Sequence, residues 1–275
     1  MKYCFFCLLV ILFSCSQGEN TMKLKGSDTE VNLVVQLAES FHRVNPKVFV
    51  SISGGGSGLG IASLFNGTAD LANSSRRIHA DELELFQHED IRIDSFIFAQ
   101  DAIAIVVSKD LHIDSICPAD LSLILKGDYP NWLPLTGKNQ PVNIYGRQSN
   151  SGTHDYVKNK LGIEFSPYAK QMNGNAQILE AIRADNSGIG YVGAGYVIHG
   201  GNNGIKVLPI YGGKNTKAIS PLDAKMIADG RYFFQRPLYQ YFKAASYGKV
   251  KPFLEFEKSD AGQYIIQLAG YYPVK

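Results

Sequence analysis

The chain has 275 residues, 45% hydrophobic and 19% charged, enough apolar material for one large domain or two of ordinary size. Its formal net charge is +2 and it has no lysine/arginine run, which excludes a surface tracking a nucleic-acid backbone. Any anion it binds is therefore small.

Residues 1–15 carry one basic residue, then an apolar run, then Ser14 before Cys15. The run is too short for a comfortable membrane span and is followed by polar residues of linker character, so it reads as an export signal. Leu12-Phe13-Ser14-Cys15 is similar to a bacterial lipobox, in which the cysteine is lipidated and becomes the new N-terminus. The expectation is a signal over 1–15 and lipidation at Cys15. Cys4 and Cys7 would leave with the signal, so Cys117 remains as the free thiol and no internal disulfide forms. Because Cys117 precedes Pro118 at an expected helix start, an inert, partly buried thiol is expected there.

Past the linker, a strand is expected over 22–25, then a helix in which Val31, Val34, Val35, Ala38 and Phe41 share a face before Asn45-Pro46. A strand over 48–53, a glycine-rich turn over 54–60 and a helix from 61 follow. Strand and helix alternate, which argues for an α/β fold with parallel strands and ligands gathered at strand ends and helix starts. The passage 96–107 is two apolar runs meeting at Gln100-Asp101, longer than one ordinary strand needs, and suits a crossing between two lobes. Beyond it come a helix over 119–125, a strand over 142–145, helices from 152 and over 176–184, and a strand over 188–192. That second lobe is expected to be complete by Ile210. A helix over 222–228 then leads to a strand-like return at 236–242, and Ala261, Tyr264, Ile265 and Leu268 have helical spacing for packing on the first lobe. The lobes are thus discontinuous in sequence, with a cleft between them.

Three segments share a glycine, a hydroxyl residue and the start of an expected helix: Gly26-Ser27-Asp28-Thr29-Glu30, Gly54-Gly-Gly-Ser57-Gly58 and Ser151-Gly152-Thr153. Glycine lets backbone N–H groups approach an anion, Ser and Thr add hydroxyl donors, and the helix start adds its dipole. Arg147 brings a rigid fork of donors suited to a tetrahedral oxyanion. One such turn is ordinary capping; three on separate strand-to-helix turns point to an oxyanion clamp. The alternative glycine motifs fail, because Leu59 occupies the place of the third glycine of a dinucleotide loop and Ile61 that of a P-loop lysine. Ser151, His154 and Asp155 lie too close on one helix to make a catalytic triad, and His42, His79, His88, His112 and His199 are scattered without metal-ligand spacing. Asp70, Asp81, Glu82, Glu84, Glu89 and Asp90 read as solvated helix faces and turns, Trp132 as a packing anchor, Arg76 as a cleft-edge residue and Arg77 as exposed.

These segments, with Ala72-Asn-Ser-Ser-Arg76, Asn131-Trp132, Arg147-x-x-x-Ser151-Gly-Thr153, Gly188-Ile-Gly-Tyr191 and Arg236-Pro-Leu-Tyr239, resemble in order the phosphate-binding protein of the bacterial high-affinity phosphate ABC transporter. The resemblance implies a type II periplasmic-binding-protein-like α/β fold: two lobes, each a mostly parallel sheet flanked by helices, joined by a two-strand hinge. Lobe one would be 21–99 plus 237–275 and lobe two 100–236. It implies phosphate ligation by Ser27, Asp28, Thr29, Glu30 through its backbone, Ser57, Ser75, Arg147, Ser151, Gly152 and Thr153. It also implies a monomer with no cofactor and no catalysis, delivering inorganic phosphate to permease subunits from the outer side of a membrane. One departure stands out. Well-known members have Asp where this chain has Ser75, and Asp28 is the residue expected to take over discrimination against sulfate, or else to cap its own helix. A receptor for sulfate or molybdate is the alternative within the binding class; an envelope phosphatase or an adhesin or sensor on the same fold are the others.

Overall fold

The computed structural model describes residues 20–199, 203–212 and 216–274. The expected signal, with Cys4, Cys7 and Cys15, lies outside the described residues.

In chain order the fold begins with β1 (Thr21–Gly26), a 3-10 turn (Asp28–Glu30), α1 (Val31–Val44), β2 (Phe49–Ser53), α2 (Ser57–Phe65), β3 (Leu71–Ser74), α3 (Ala80–His88) and β4 (Ile93–Ser108). Then come α4 (Pro118–Lys126), α5 (Leu133–Thr136), β5 (Asn143–Arg147), α6 (Gly152–Leu161), β6 (Lys170–Met172), α7 (Asn175–Ala184), β7 (Gly188–Gly193), α8 (Gly195–His199), β8 (Ile205–Leu208) and α9 (Ala224–Ala228). The chain closes with β9 (Gln235–Lys243), α10 (Tyr247–Lys258), α11 (Asp260–Leu268) and β10 (Tyr272–Pro273).

β1 pairs in parallel with β2 and β3, and β5 in parallel with β6 and β7, so each half carries the strand–helix–strand units expected from the alternation. Between these halves run two long antiparallel strands. β4 pairs with β9 from Ile93 to Ala102 and with β7 from Ile103 onward, so one strand belongs to both halves of the sheet. From Asp101 to Ser108 every β4 residue is buried, which is why it reads as an unbroken apolar run.

The largest apolar cluster gathers Ala102 through Phe234 and includes Trp132, whose indole N–H donates to the Ser187 carbonyl. It also takes Ile219, Ile227, Tyr232 and Phe234, so the second lobe is not complete at Ile210: the segment that follows supplies part of its core. Another cluster runs from Met22 to Ala99 and resumes at Leu238, packing α1, α10 and α11 on the other half of the sheet.

Two helix faces differ from their expected spacing. α1 buries Leu33, Val34, Leu37, Ala38 and Phe41, while Val35 is exposed, because the helix turns its leucine edge toward α10 and α11. α11 buries Gly262 and Ile266, with Ala269 buried just past its end, whereas Tyr264 and Leu268 lie in solvent. In both helices several apolar stripes overlap, and the neighbour selects one.

Candidate functional site

The site forms where β1, β3 and β5 end and where the 3-10 turn, α2 and α6 begin. Gly26 makes the first turn possible: its φ is +136°, and a Cβ there would stand 2.2 Å from the Asn73 carbonyl. The turn places the Thr29 hydroxyl 2.9 Å from that of Thr153, so residues 124 positions apart meet across the cleft and the lobes are closed. Ser27 Oγ donates to Ser75 Oγ at 3.2 Å, and the Ser75 N–H donates to Ser57 Oγ at 3.1 Å. Gly152 enters this group from the other lobe. A Cβ on it would lie 2.3 Å from Ser57 Oγ and 2.7 Å from Ser75 Oγ, so only glycine allows the approach.

Ser151 is the N-cap of α6, its Oγ accepting from the Thr153 N–H at 3.2 Å, which leaves its own O–H free to donate. Ser27, Thr29, Glu30, Ser57, Ser75, Arg147, Ser151, Gly152 and Thr153 are all buried, and Asp28 is partly exposed. The structure thus brings Ser27, Thr29, Ser57, Ser75, Gly152 and Thr153 together in one cluster across the cleft, and sets Asp28 beside Arg147.

Arg147, at the end of β5, is 2% exposed. Its backbone N–H donates to the Tyr191 hydroxyl and its Nη2 to the Asn173 carbonyl, yet Nε and Nη1 close no hydrogen bond. Burial pulls its pKa below the ordinary arginine value, and Asp28 opposes that. The Asp28 carboxylate lies 3.4 Å from Nη1.

Asp28 does not cap its own turn. Its Oδ2 accepts from the backbone N–H and the side-chain amide of Asn175 at 3.1 and 3.0 Å, fastening the first turn of α7 across the cleft. The Asp28 carbonyl accepts from the Tyr196 hydroxyl as well. Further bridges cross the gap: His79 to Asp155 at 3.2 Å, the Asn150 amide to the Gly55 carbonyl at 3.0 Å, and the Gly58 N–H to the Asn150 carbonyl at 3.1 Å.

Sequence reasoning missed Asp101 and Arg236. They face each other in the β4–β9 ladder, and Arg236 gives both Nε and Nη2 to Asp101 Oδ2 at 3.0 and 2.8 Å. Nη2 also reaches Thr153 Oγ1 at 3.0 Å and Thr29 Oγ1 at 3.5 Å, and Nη1 donates to the Ser75 carbonyl. A guanidinium accepts nothing, so both threonine hydroxyls accept from it; one of their two protons lies between them and the other is left to donate elsewhere. Desolvation raises the Asp101 pKa and Arg236 works against it. A signal was present: a single carboxylate between two apolar runs is buried only if it is paired.

Other expectations resolve locally. Arg76 is buried beside the cleft but spends its fork on Glu82 at 2.6 and 2.7 Å, so Glu82 is an ion-pair and capping residue rather than a solvated one. Arg77 is exposed and reaches the Tyr239 hydroxyl. Asp70 accepts from the Lys23 N–H and the Lys249 ammonium. His154 packs its ring 4.6 Å from that of Phe165, Asp155 pairs with His79 and Ser151 caps the helix, so the three close residues serve other partners rather than a triad. Cys117 is half-buried at the N-cap of α4.

Residues 16–261 match the model of the PBP superfamily domain. The chain is similar to the phosphate-binding protein PstS of Pseudomonas aeruginosa, 31% identical over 268 residues that cover 90% of this chain and 81% of that protein. It is similar to the PstS of Borreliella burgdorferi, 25% identical over 277 residues, with 96% and 95% covered. Among solved structures, an ABC-type phosphate transport receptor from Vibrio cholerae superposes with a TM-score of 0.73 at 23% identity, covering 92% of this chain and all of that one.

Proposed function

This chain belongs to the PBP superfamily, among its phosphate-binding proteins, and from that premise we propose that it captures inorganic phosphate outside the cytoplasm and delivers it to the permease of an ABC transporter. The observation that carries the reading is Arg147, a buried guanidinium whose Nε and Nη1 close no hydrogen bond, on the strand that leads into the Ser151-Gly152-Thr153 helix start, where Gly152 and Thr153 meet Ser57, Ser75 and Thr29 of the other lobe. Such a set neutralises a tetrahedral oxyanion by charge-assisted hydrogen bonds and helix-start N–H groups.

Thr29, the Glu30 backbone, Ser57 and Ser75 hold the anion from lobe one with Ser27 behind them; Arg147, Ser151, Gly152 and Thr153 hold it from lobe two, and Asp28 ties the lobes together. Lobe one comprises 21–99 plus 237–275 and lobe two 100–236, a division supported by the two apolar clusters parting near Asp101 and Arg236. Closure follows from contacts the anion makes to both lobes at once. The protein works as a monomer without catalysis, and lipid on Cys15 tethers it to a membrane.

Calorimetry of phosphate binding tests this directly. Phosphate is expected to bind the wild-type protein in preference to sulfate or molybdate. A stronger response to sulfate or molybdate assigns the receptor to that anion instead.

A further inference from the structure

Near neutral pH inorganic phosphate keeps at least one proton and sulfate keeps none. A site that separates them offers the phosphate O–H an acceptor. Around the pocket the side chains are guanidinium and hydroxyl groups, and the nearby Asp28 carboxylate is held by Asn175 beside Arg147.

Behind the hydroxyls lies a second carboxyl. Glu30 is wholly buried, and neither of its oxygens closes a hydrogen bond of good geometry. Its backbone N–H donates to the Ser27 carbonyl at 3.2 Å, which sets it one turn past Ser27, and the Ser27 hydroxyl favours its charged form. Ser27 Oγ in turn is 3.2 Å from Ser75 Oγ, which stands 3.5 Å from Ser57 Oγ at the wall where Gly152 closes the pocket.

We propose that the Glu30 carboxyl, acting through the Ser27 and Ser75 hydroxyls, is the acceptor that lets this pocket select a protonated oxyanion over a bare one. The inference rests on the phosphate-binding reading and deepens it. A hydroxyl has one proton, so the chain of hydroxyls has a direction. With Ser27 donating to Glu30, Ser27 accepts from Ser75, and Ser75 accepts from the O–H of hydrogen phosphate. With Ser27 donating to Ser75, as it stands here, Ser75 turns its proton outward, an arrangement that serves sulfate equally well.

An ionised Glu30 only accepts and enforces the first direction; a neutral carboxyl, with both a donor and an acceptor oxygen, permits either. The groups facing it are Arg236 from β9, Asp101 from β4, Glu257 from α10 and Tyr271 before β10. Burial pushes Glu30 well above the usual carboxylate range, with Ser27 and Arg236 opposing. Rejection of sulfate therefore strengthens as pH rises.

Sulfate-competition calorimetry with phosphate, run from mildly acidic to alkaline pH on the wild type, Glu30→Gln and Ser27→Ala, tests the relay. A glutamine amide presents a donor or an acceptor at every pH, and alanine cuts the chain. The wild-type ratio of sulfate to phosphate Kd is expected to climb with pH. In both variants it falls by roughly tenfold at the alkaline end, the loss of one buried hydrogen bond, and keeps only the pH dependence of phosphate itself. Selectivity and pH profile unchanged in both variants overturn the proposal. Should Ser27→Ala not fold, the near-isosteric Glu30→Gln decides alone. A wild-type protein that does not bind phosphate overturns the functional reading instead, so the two failures are told apart.

Discussion

Arg147 and Arg236 are buried to nearly the same degree, 2% and 1% exposed, and they differ in how their donors are used. Arg236 lies on β9 opposite Asp101 of β4, the strand shared by both halves of the sheet, and its nitrogens are spent on Asp101, Ser75 and two threonine hydroxyls. Arg147 sits at a strand end before a turn, with Nε and Nη1 unspent. Burial does not distinguish a structural arginine from a ligand-binding one. The count of satisfied donors does, because an unpaired buried donor is costly unless something else supplies its acceptor.

That contrast is sharpest in stability. Arg236→Met leaves the Asp101 carboxylate buried without its cation, so a loss of about 3–5 kcal/mol is expected in urea denaturation. Arg147→Met leaves only the partly exposed Asp28, still held by Asn175, and folding stability should change by less than about 1 kcal/mol. Equal destabilisation by the two substitutions would erase the distinction.

In binding the order reverses. Arg147→Met is expected to weaken phosphate by about 2–3 kcal/mol in calorimetry, the loss of a charge-assisted contact. Near-normal affinity would remove Arg147 from the site.

The same donor accounting extends to a buried carboxyl no ligand reaches. Glu257 takes one hydrogen bond from Gln240 and leaves its other oxygen bare, and burial holds its pKa well above the ordinary 4.5. The folded form therefore keeps a proton that the unfolded chain has released, and stability falls as pH rises from 4.5 toward the raised value. Glu257→Gln is expected to reduce that decline by up to about 1.4 kcal/mol per pH unit, read from urea midpoints across pH. A slope unchanged from wild type would mean that Glu257 is ionised in the fold.

The smallest effect is expected at Asp28→Asn. The amide oxygen still accepts from Asn175 but loses the charge beside Arg147, so phosphate affinity should shift by less than about 1 kcal/mol. Calorimetry checks it, and a larger loss would make Asp28 part of the clamp rather than a tie between lobes.

Much of this was legible along the chain. Alternating strand and helix signals, glycine and hydroxyl residues at helix starts, and the Arg147 to Thr153 spacing are local patterns set by backbone sterics, capping and charge. The long apolar passage through Gln100-Asp101 announced a strand common to both lobes, and β4 is that strand. Local pattern failed where neighbours choose. α1 and α11 each offer more than one apolar stripe, and only packing against α10 selected Leu33 and Leu37 in one and Ile266 in the other.

By itself, then, the sequence determined the fold class, the turns that offer donors to an anion and the arginine among them, since each depends on residues a few positions apart. Only the tertiary structure decided which donors are already spent. Arg236 meets Asp101 from 135 positions away, Asp28 crosses the cleft to Asn175 from 147, and Glu30 stands behind a line of hydroxyls from three different loops. Those partnerships depend on how the lobes close, because hydrogen-bond satisfaction is a property of the assembled pocket and not of any one segment.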